Sequence, residues 1–293
     1  MLDAGNALFK ASVSSDDVSR RRAELILRTM GQLRTAATAV GARDLVAGPE
    51  FLKKTAAKAK VRLLSANLVD DRGALLFEPS MRTSIAAIRV GVLGISPLQS
   101  GAQMRGTPPV QAALAEARKL KGKVDLIIAL AAVPYADALQ LSKEAGDTID
   151  LILQSHEGRG VGIPQRNGGA FVIPTGERGR QLGRLQLDLS QPGPWVELGQ
   201  KERDLQLINV LDTQIAATQR RLEAAGPGAT DSLETTLRGF QNRRETLVKS
   251  VAASPESGGR LLRLDFLPLG ADYPSDPALK AQITVLEPEP PSH

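Results

Sequence analysis

The spacing of apolar side chains changes twice along this chain. Through roughly the first 190 residues, short apolar runs alternate with segments of helical period, the pattern of a sheet covered by helices. Residues 16–38 follow Ser15 and open on Asp16-Asp17, suited to an N-cap, and carry Leu25, Ile26, Met30 and Leu33 at helical spacing, so a helix is expected there. Residues 51–60 read as a second helix, and Val61-Arg62-Leu63-Leu64-Ser65 as a strand running into Ala66-Asn67-Leu68. The clearest buried strand is 88–95, rich in Ile and Val, with Gly91 and Gly94 where another backbone can approach closely. Thr107-Pro108 starts a helix reaching about Leu120. A strand over 124–130, a helix over 136–144 and a strand over 149–153 follow, the last ending at Ser155-His156-Glu157-Gly158; 170–173 and 182–189 read as closing strands.

From about Gln200 the period becomes heptad-like. Leu205, Ile208, Leu211, Ile215 and Leu222 form one stripe, Gly226-Pro227-Gly228 interrupts it, and Leu233, Leu237, Phe240, Leu247 and Val251 form another. Two antiparallel helices burying these stripes against each other make a helical hairpin. Arg260–Phe266 then alternates like a half-exposed strand, after which the order fades towards Glu287-Pro288-Glu289-Pro290-Pro291, an extended linker by composition. The expected organisation is an α/β domain over 1–198, a helical hairpin over 199–254, a returning strand and C-terminal segment over 255–285, and a Pro-rich tail over 286–293.

Composition narrows the function. Six Phe, two Tyr and one Trp leave the core to Leu, Ile, Val and Ala, and supply few rings for stacking on nucleobases. The excess of 37 basic over 32 acidic residues is small, so Arg20-Arg21-Arg22 reads as a solvated helix face and no nucleic-acid partner is expected. Without cysteine there is no thiolate nucleophile and no Cys-ligated metal. No apolar run is long enough to span a bilayer, so no membrane insertion is expected. Eight basic and seven acidic residues over 201–249 keep the hairpin's outer faces solvated, and leave 203–251 as the expected surface for a protein partner or self-association.

Four segments fall at strand ends: Leu2-Asp3-Ala4-Gly5-Asn6, Gly41-Ala42-Arg43-Asp44, Leu130-Ala131-Ala132 and Ser155-His156-Glu157-Gly158. Together with Ser65-Ala66-Asn67-Leu68 and the segment from Thr175 to Gly183, they resemble, over about residues 1–190, the calcineurin-like metallophosphoesterases of the bacterial 5′-nucleotidase (2′,3′-cyclic phosphodiesterase) branch. That family's signature runs D-x-H, G-D, G-N-H-D/E, H, then G-H-x-H. The resemblance implies a four-layered α/β/β/α sandwich, here with an inserted antiparallel helical hairpin, and in the family two divalent ions that clamp a phosphate and acidify a bridging water. It also implies a periplasmic or cell-surface address, although no export signal is visible.

Carried over residue by residue, the pattern is depleted. Asn6 stands at the bridging aspartate, Ala42 at the metal-binding asparagine and Arg43 at the catalytic histidine, while Asp44 keeps that histidine's acidic partner. Ala132 replaces a histidine ligand; His156 matches the first histidine of G-H-x-H, but Gly158 replaces the second. The D-x-H strand belongs upstream of Asp3. His156 and Asn6 are thus vestigial metal positions, Arg43 and Asp44 vestigial catalytic ones, and no cofactor is expected, because an imidazole and a carboxamide are too few and too neutral for two dications. Glu157, Asp44, Asp3 and Glu50 are candidates for a rearranged single-metal site, and the Arg43 guanidinium for an anion site in place of the metal. The reading that follows is a degenerate, non-catalytic domain with a binding or scaffolding role. Two alternatives stand beside it: an active metal-dependent phosphoesterase acting on nucleotides whose first metal motif is missing from this chain, and an interaction module of a larger polypeptide.

Overall fold

The computed structural model describes residues 1–10, 15–101, 104–155, 163–175, 180–224, 230–253, 259–270 and 272–287. In chain order the elements are β1 (Leu2–Asp3), α1 (Asp17–Gln32), β2 (Ala37–Ala39), a 3₁₀ turn (Ala42–Leu45), α2 (Pro49–Ala59), β3 (Arg62–Leu64), β4 (Leu68–Val69), β5 (Ser80–Ile85), β6 (Ile88–Ile95), β7 (Ser100–Gly101), β8 (Met104–Gly106), α3 (Pro109–Leu120), β9 (Leu126–Ala131), α4 (Tyr135–Ala145), β10 (Leu151–Gln154), β11 (Gln165–Arg166), β12 (Phe171–Pro174), β13 (Gln181–Asp188), β14 (Trp195–Glu197), α5 (Gln200–Glu223), α6 (Thr230–Ala253), β15 (Arg260–Pro268) and α7 (Pro277–Leu286). They divide into two compact units, Met1–Gly183 with Phe266–His293, and Arg184–Asp265.

The first unit is an α/β sandwich. A small parallel sheet, β1-β2-β3, lies beside a six-stranded sheet of order β11-β12-β10-β9-β6-β5, whose four inner strands are parallel and whose two edges are antiparallel. The sheets approach closely at Gly94 of β6, where a Cβ would fall 2.3 Å from the Leu64 carbonyl oxygen of β3. Only glycine fits that crossing. Helices α1 and α2 cover the small sheet over a core that includes Phe9, Leu27, Met30, Leu52 and Phe77. On the opposite side, α3 and α4 cover the large sheet over Leu93, Ile95, Leu141, Ile152 and Val172, interleaved with Ala113, Ala117, Ala129 and Ala131. The many alanines let the helices sit close to the strands, and account for a core with so few rings.

The second unit holds α5 and α6, which run antiparallel: Asp212 pairs with Arg244, and Ser250 bonds to Asp204 at 3.3 Å. The strand over 260–268 pairs in parallel with β14, and β13-β15-β14 form a three-stranded sheet.

Two expectations need correction. The first helix ends at Gln32, not residue 38, with Arg34 in the left-handed region at φ 55°, and the next residues enter β2. Order does not fade after β15: Asp276 caps α7, accepting from the Leu279 amide at 2.8 Å, with Pro277 in its first turn. The hairpin β5–β6 was also unforeseen. Among the described residues no helix is long and apolar enough to cross a membrane.

Candidate functional site

The parallel strands β1, β2, β3, β6, β9 and β10 all deliver their carboxyl ends to one region, where ligands of open α/β sheets are usually held. After β1 the backbone turns through Gly5 and Asn6, both at positive φ, and this brings the Asn6 amide against the turn after β2. The Asp44 carboxylate receives it. Asp44 Oδ2 accepts from the backbone N–H groups of Asn6 and Gly41, each at 2.8 Å, and Oδ1 accepts from that of Leu8 at 3.1 Å. The residue is 4% exposed. Burial lifts its pKa to about 6; the amides of Gly41, Asn6 and Leu8 pull the other way, and the nearby Asp3 charge adds to the rise.

Asn6 is held on both sides. Its Oδ1 accepts from the Arg43 amide at 3.2 Å and its Nδ2 donates to the Ser155 carbonyl at 3.4 Å. The carboxamide lies so close over Gly41 that a Cβ there would stand 2.2 Å from Asn6 Oδ1. Asp3 Oδ1 accepts from the Gly5 amide at 2.8 Å and from the Thr38 hydroxyl at 2.7 Å; burial raises its pKa, and these two bonds partly offset the rise. Ser155 Oγ donates towards the carbonyls of Ala4 at 2.6 Å and Gly5 at 2.9 Å, tying the end of β10 to the β1 turn.

A second network locks the neighbouring strand ends. Asn67 Nδ2 donates to the carbonyls of Ser96 and Thr107, at 2.8 and 2.9 Å, while its Oδ1 accepts from the Ser96 amide at 2.8 Å. Ser96 Oγ gives its one proton to the Val40 carbonyl at 2.5 Å, so Ser65 is the donor in the 2.8 Å Ser65–Ser96 pair. Ser65-Ala66-Asn67 therefore joins β2, β3 and β6 to the entry of α3.

The structure thus brings Asp3, Asn6 and Asp44 together and joins the Arg43 backbone to them, while the Arg43 and Ala42 side chains are exposed. Ala132 is fully buried and offers no donor. Glu50 lies apart, on α2, pairing with Lys53 at 3.2 Å. His156, Glu157 and Gly158 lie outside the described residues, as does the glycine-rich run 158–162. Sequence reasoning missed Thr38, in the middle of β2, and named Ser155 only as the first residue of Ser155-His156-Glu157-Gly158, without the bonds that its hydroxyl makes.

A pair of divalent ions needs several convergent donors with free lone pairs and net negative charge. The described residues do not fit it. Both Asp44 oxygens face backbone N–H groups, Asn6 is turned onto Gly41 and engaged at both atoms, Asp3 is held by Thr38 and Gly5, and no group of three or more His, Asp or Glu side chains that could hold a metal occurs among the described residues.

The architecture of the first unit is that of the calcineurin-like phosphoesterases. Among solved structures the chain is similar to the sulfate thiohydrolase SoxB of Thermus thermophilus (19% identity, TM-score 0.55, covering 64% of this chain and 35% of that one). It is likewise similar to a 5′-nucleotidase precursor, also from Thermus thermophilus (21%, 0.52, 64% and 41%), and to the calcineurin-like phosphoesterase YfkN from Bacillus subtilis (19%, 0.53, 64% and 70%). At these identities the likeness is one of fold. The chain spans little more than a third of the first of these proteins and two fifths of the second. No protein-family model and no curated protein sequence matches it.

Proposed function

We propose that the chain uses a phosphoesterase fold as a non-catalytic binding or scaffolding unit. One observation carries this reading: the carboxylate of Asp44 and the carboxamide of Asn6, at two positions where the fold's enzymes keep metal or catalytic groups, are engaged by the chain's own backbone. A buried carboxylate accepting three amide hydrogens holds loops in place, and turning it towards a catalytic partner would orphan donors that it now satisfies. Ala132, lacking any donor, supports the same reading.

The test is turnover. The purified chain, supplied with Mn²⁺, Co²⁺ or Zn²⁺, is expected to leave p-nitrophenyl phosphate, bis-p-nitrophenyl phosphate and nucleoside monophosphates and cyclic phosphates intact. Ala132→His alone is expected to restore nothing, since the other positions stay neutral or engaged. Metal-dependent hydrolysis by the unaltered chain would replace this proposal with that of an active phosphoesterase.

A further inference from the structure

Within the first unit, helix α7 lies against α1 but is held there in an unusual way. None of its ten residues is buried; Leu279 and Leu286 are half-exposed, and Val285 is 81% exposed. The residues leading into it, 272–276, are exposed throughout. Among the described residues, two polar pairs join its end and its side to α1, Arg22 with Glu287 and Arg28 with Gln282. Between the two helices lies an open groove of about 410 Å³, bounded by Arg21, Leu25 and Arg28 on one wall and by Gln282, Val285 and Leu286 on the other. Two helices packed as a core leave no such space between them.

We infer that α7 is an electrostatic strap: it is helical while docked on α1, and it opens as a unit, without the rest of the domain, when its polar pairs are screened. A helix of ten residues does not sustain itself in water, since isolated helices shorter than about 12–15 residues are marginal. Asp276 caps the first turn, accepting from the Leu279 amide at 2.8 Å, which fixes where the helix begins without holding it to the domain. Most helices draw their missing stability from a buried apolar face, and α7 has none. What remains is charge. The Arg22 and Glu287 side chains are 24% and 47% exposed, and a pair so open to solvent weakens as the Debye length shrinks from about 30 Å at 0.01 M salt to about 3 Å at 1 M. Helix α1 does not depend on the strap: Ala23, Leu27 and Met30 are buried in the core over the small sheet, and that cluster contains no residue of α7. Opening therefore leaves α1 in place and frees the guanidiniums of Arg22 and Arg28, so that ionic strength sets how much of the helix is uncovered. The inference stands apart from the strand-end site.

The test is hydrogen exchange of the full chain read by mass spectrometry, comparing peptides from 277–287 with peptides from α1 in about 20 mM and about 500 mM NaCl. At low salt α7 is expected to show protection on the order of 100-fold or less, and α1 at least roughly 100-fold more. At high salt the α7 value should fall several-fold while that of α1 holds. Glu287→Arg should reproduce the high-salt exchange of α7 at low salt; a cation suits the C-terminus of a helix, so a loss there reads the broken pair and not helix propensity. Adding Arg22→Glu to that variant should restore the parent's protection, and Glu287→Arg alone should leave the thermal midpoint and the exchange of α1 near those of the parent. The inference is overturned by α7 protected as fully as α1, by protection absent at both salts, or by protection indifferent to salt and to Glu287→Arg. Failure of the swapped pair to restore protection, or loss of α1 protection in step with that of α7, would overturn it equally.

Discussion

Asp44 accepts three backbone amide hydrogens while buried, and this single side chain joins the turn after β1 to the turn after β2. Asp44→Ala leaves those amides without an acceptor and is expected to cost ~3 kcal/mol or more in urea unfolding. The carboxyl also sets a pH dependence. Folded, it holds its proton up to about pH 6; unfolded, it releases it near 4, so the folded chain binds more protons between these values and stability falls as pH rises through them. Asp3, whose pKa burial also raises, acts in the same direction. Acidifying from about pH 7.5 to about pH 5 should therefore stabilise the chain by ~1.4 kcal/mol through Asp44, and Asp44→Ala should flatten most of that slope. Exposed carboxylates with lowered pKa, such as Asp125 at about 2 beside Arg89, withdraw their contribution only at still lower pH. A parent chain more stable at the higher pH would refute this account of Asp44. Asn67→Ala should cost a similar ~3 kcal/mol, because three backbone groups lose their partner inside the protein.

At the scale of elements, the hairpin lends itself to removal. Asp204 and Ser250 are hydrogen-bonded neighbours, so a short Gly-Ser bridge replacing residues 203–250 spans a small gap. The unit Met1–Gly183 with Phe266–His293 is expected to keep a cooperative thermal transition by circular dichroism; a non-cooperative melt would assign the hairpin to its core. Most elements were legible because they obey one period and carry ordinary punctuation: 90–95 is an apolar run without a charged or polar side chain, and Thr107-Pro108 precedes α3 directly. What was illegible lacked such signals. The β5–β6 hairpin turns on Ala86 at φ 52°, with no Gly or Asn to announce a positive φ, and β2 is Ala-Thr-Ala, too short and too weakly β-forming to stand out. Asp276-Pro277 is a sound helix start that the surrounding prolines obscured. Likewise, spacing and resemblance picked out Asn6 and Asp44, but their partners lie far along the chain, Leu8 36 residues from Asp44 and Ser155 149 from Asn6, and only the folded arrangement shows both side chains engaged by backbone.

For the molecule as a whole, the first unit has the fold of the calcineurin-like phosphoesterases, and its described strand ends are joined by hydrogen bonds within the chain. The alanine-rich layer under α3 and α4 and the glycine crossing between the sheets let these elements pack closely. The central claim concerns the strand ends, and metal stoichiometry reads it most directly. After incubation with excess Mn²⁺ or Zn²⁺ and exhaustive dialysis, elemental analysis should find well under one ion per chain, unchanged between the parent and Asp44→Ala; two retained ions per chain, lost on that substitution, would contradict it.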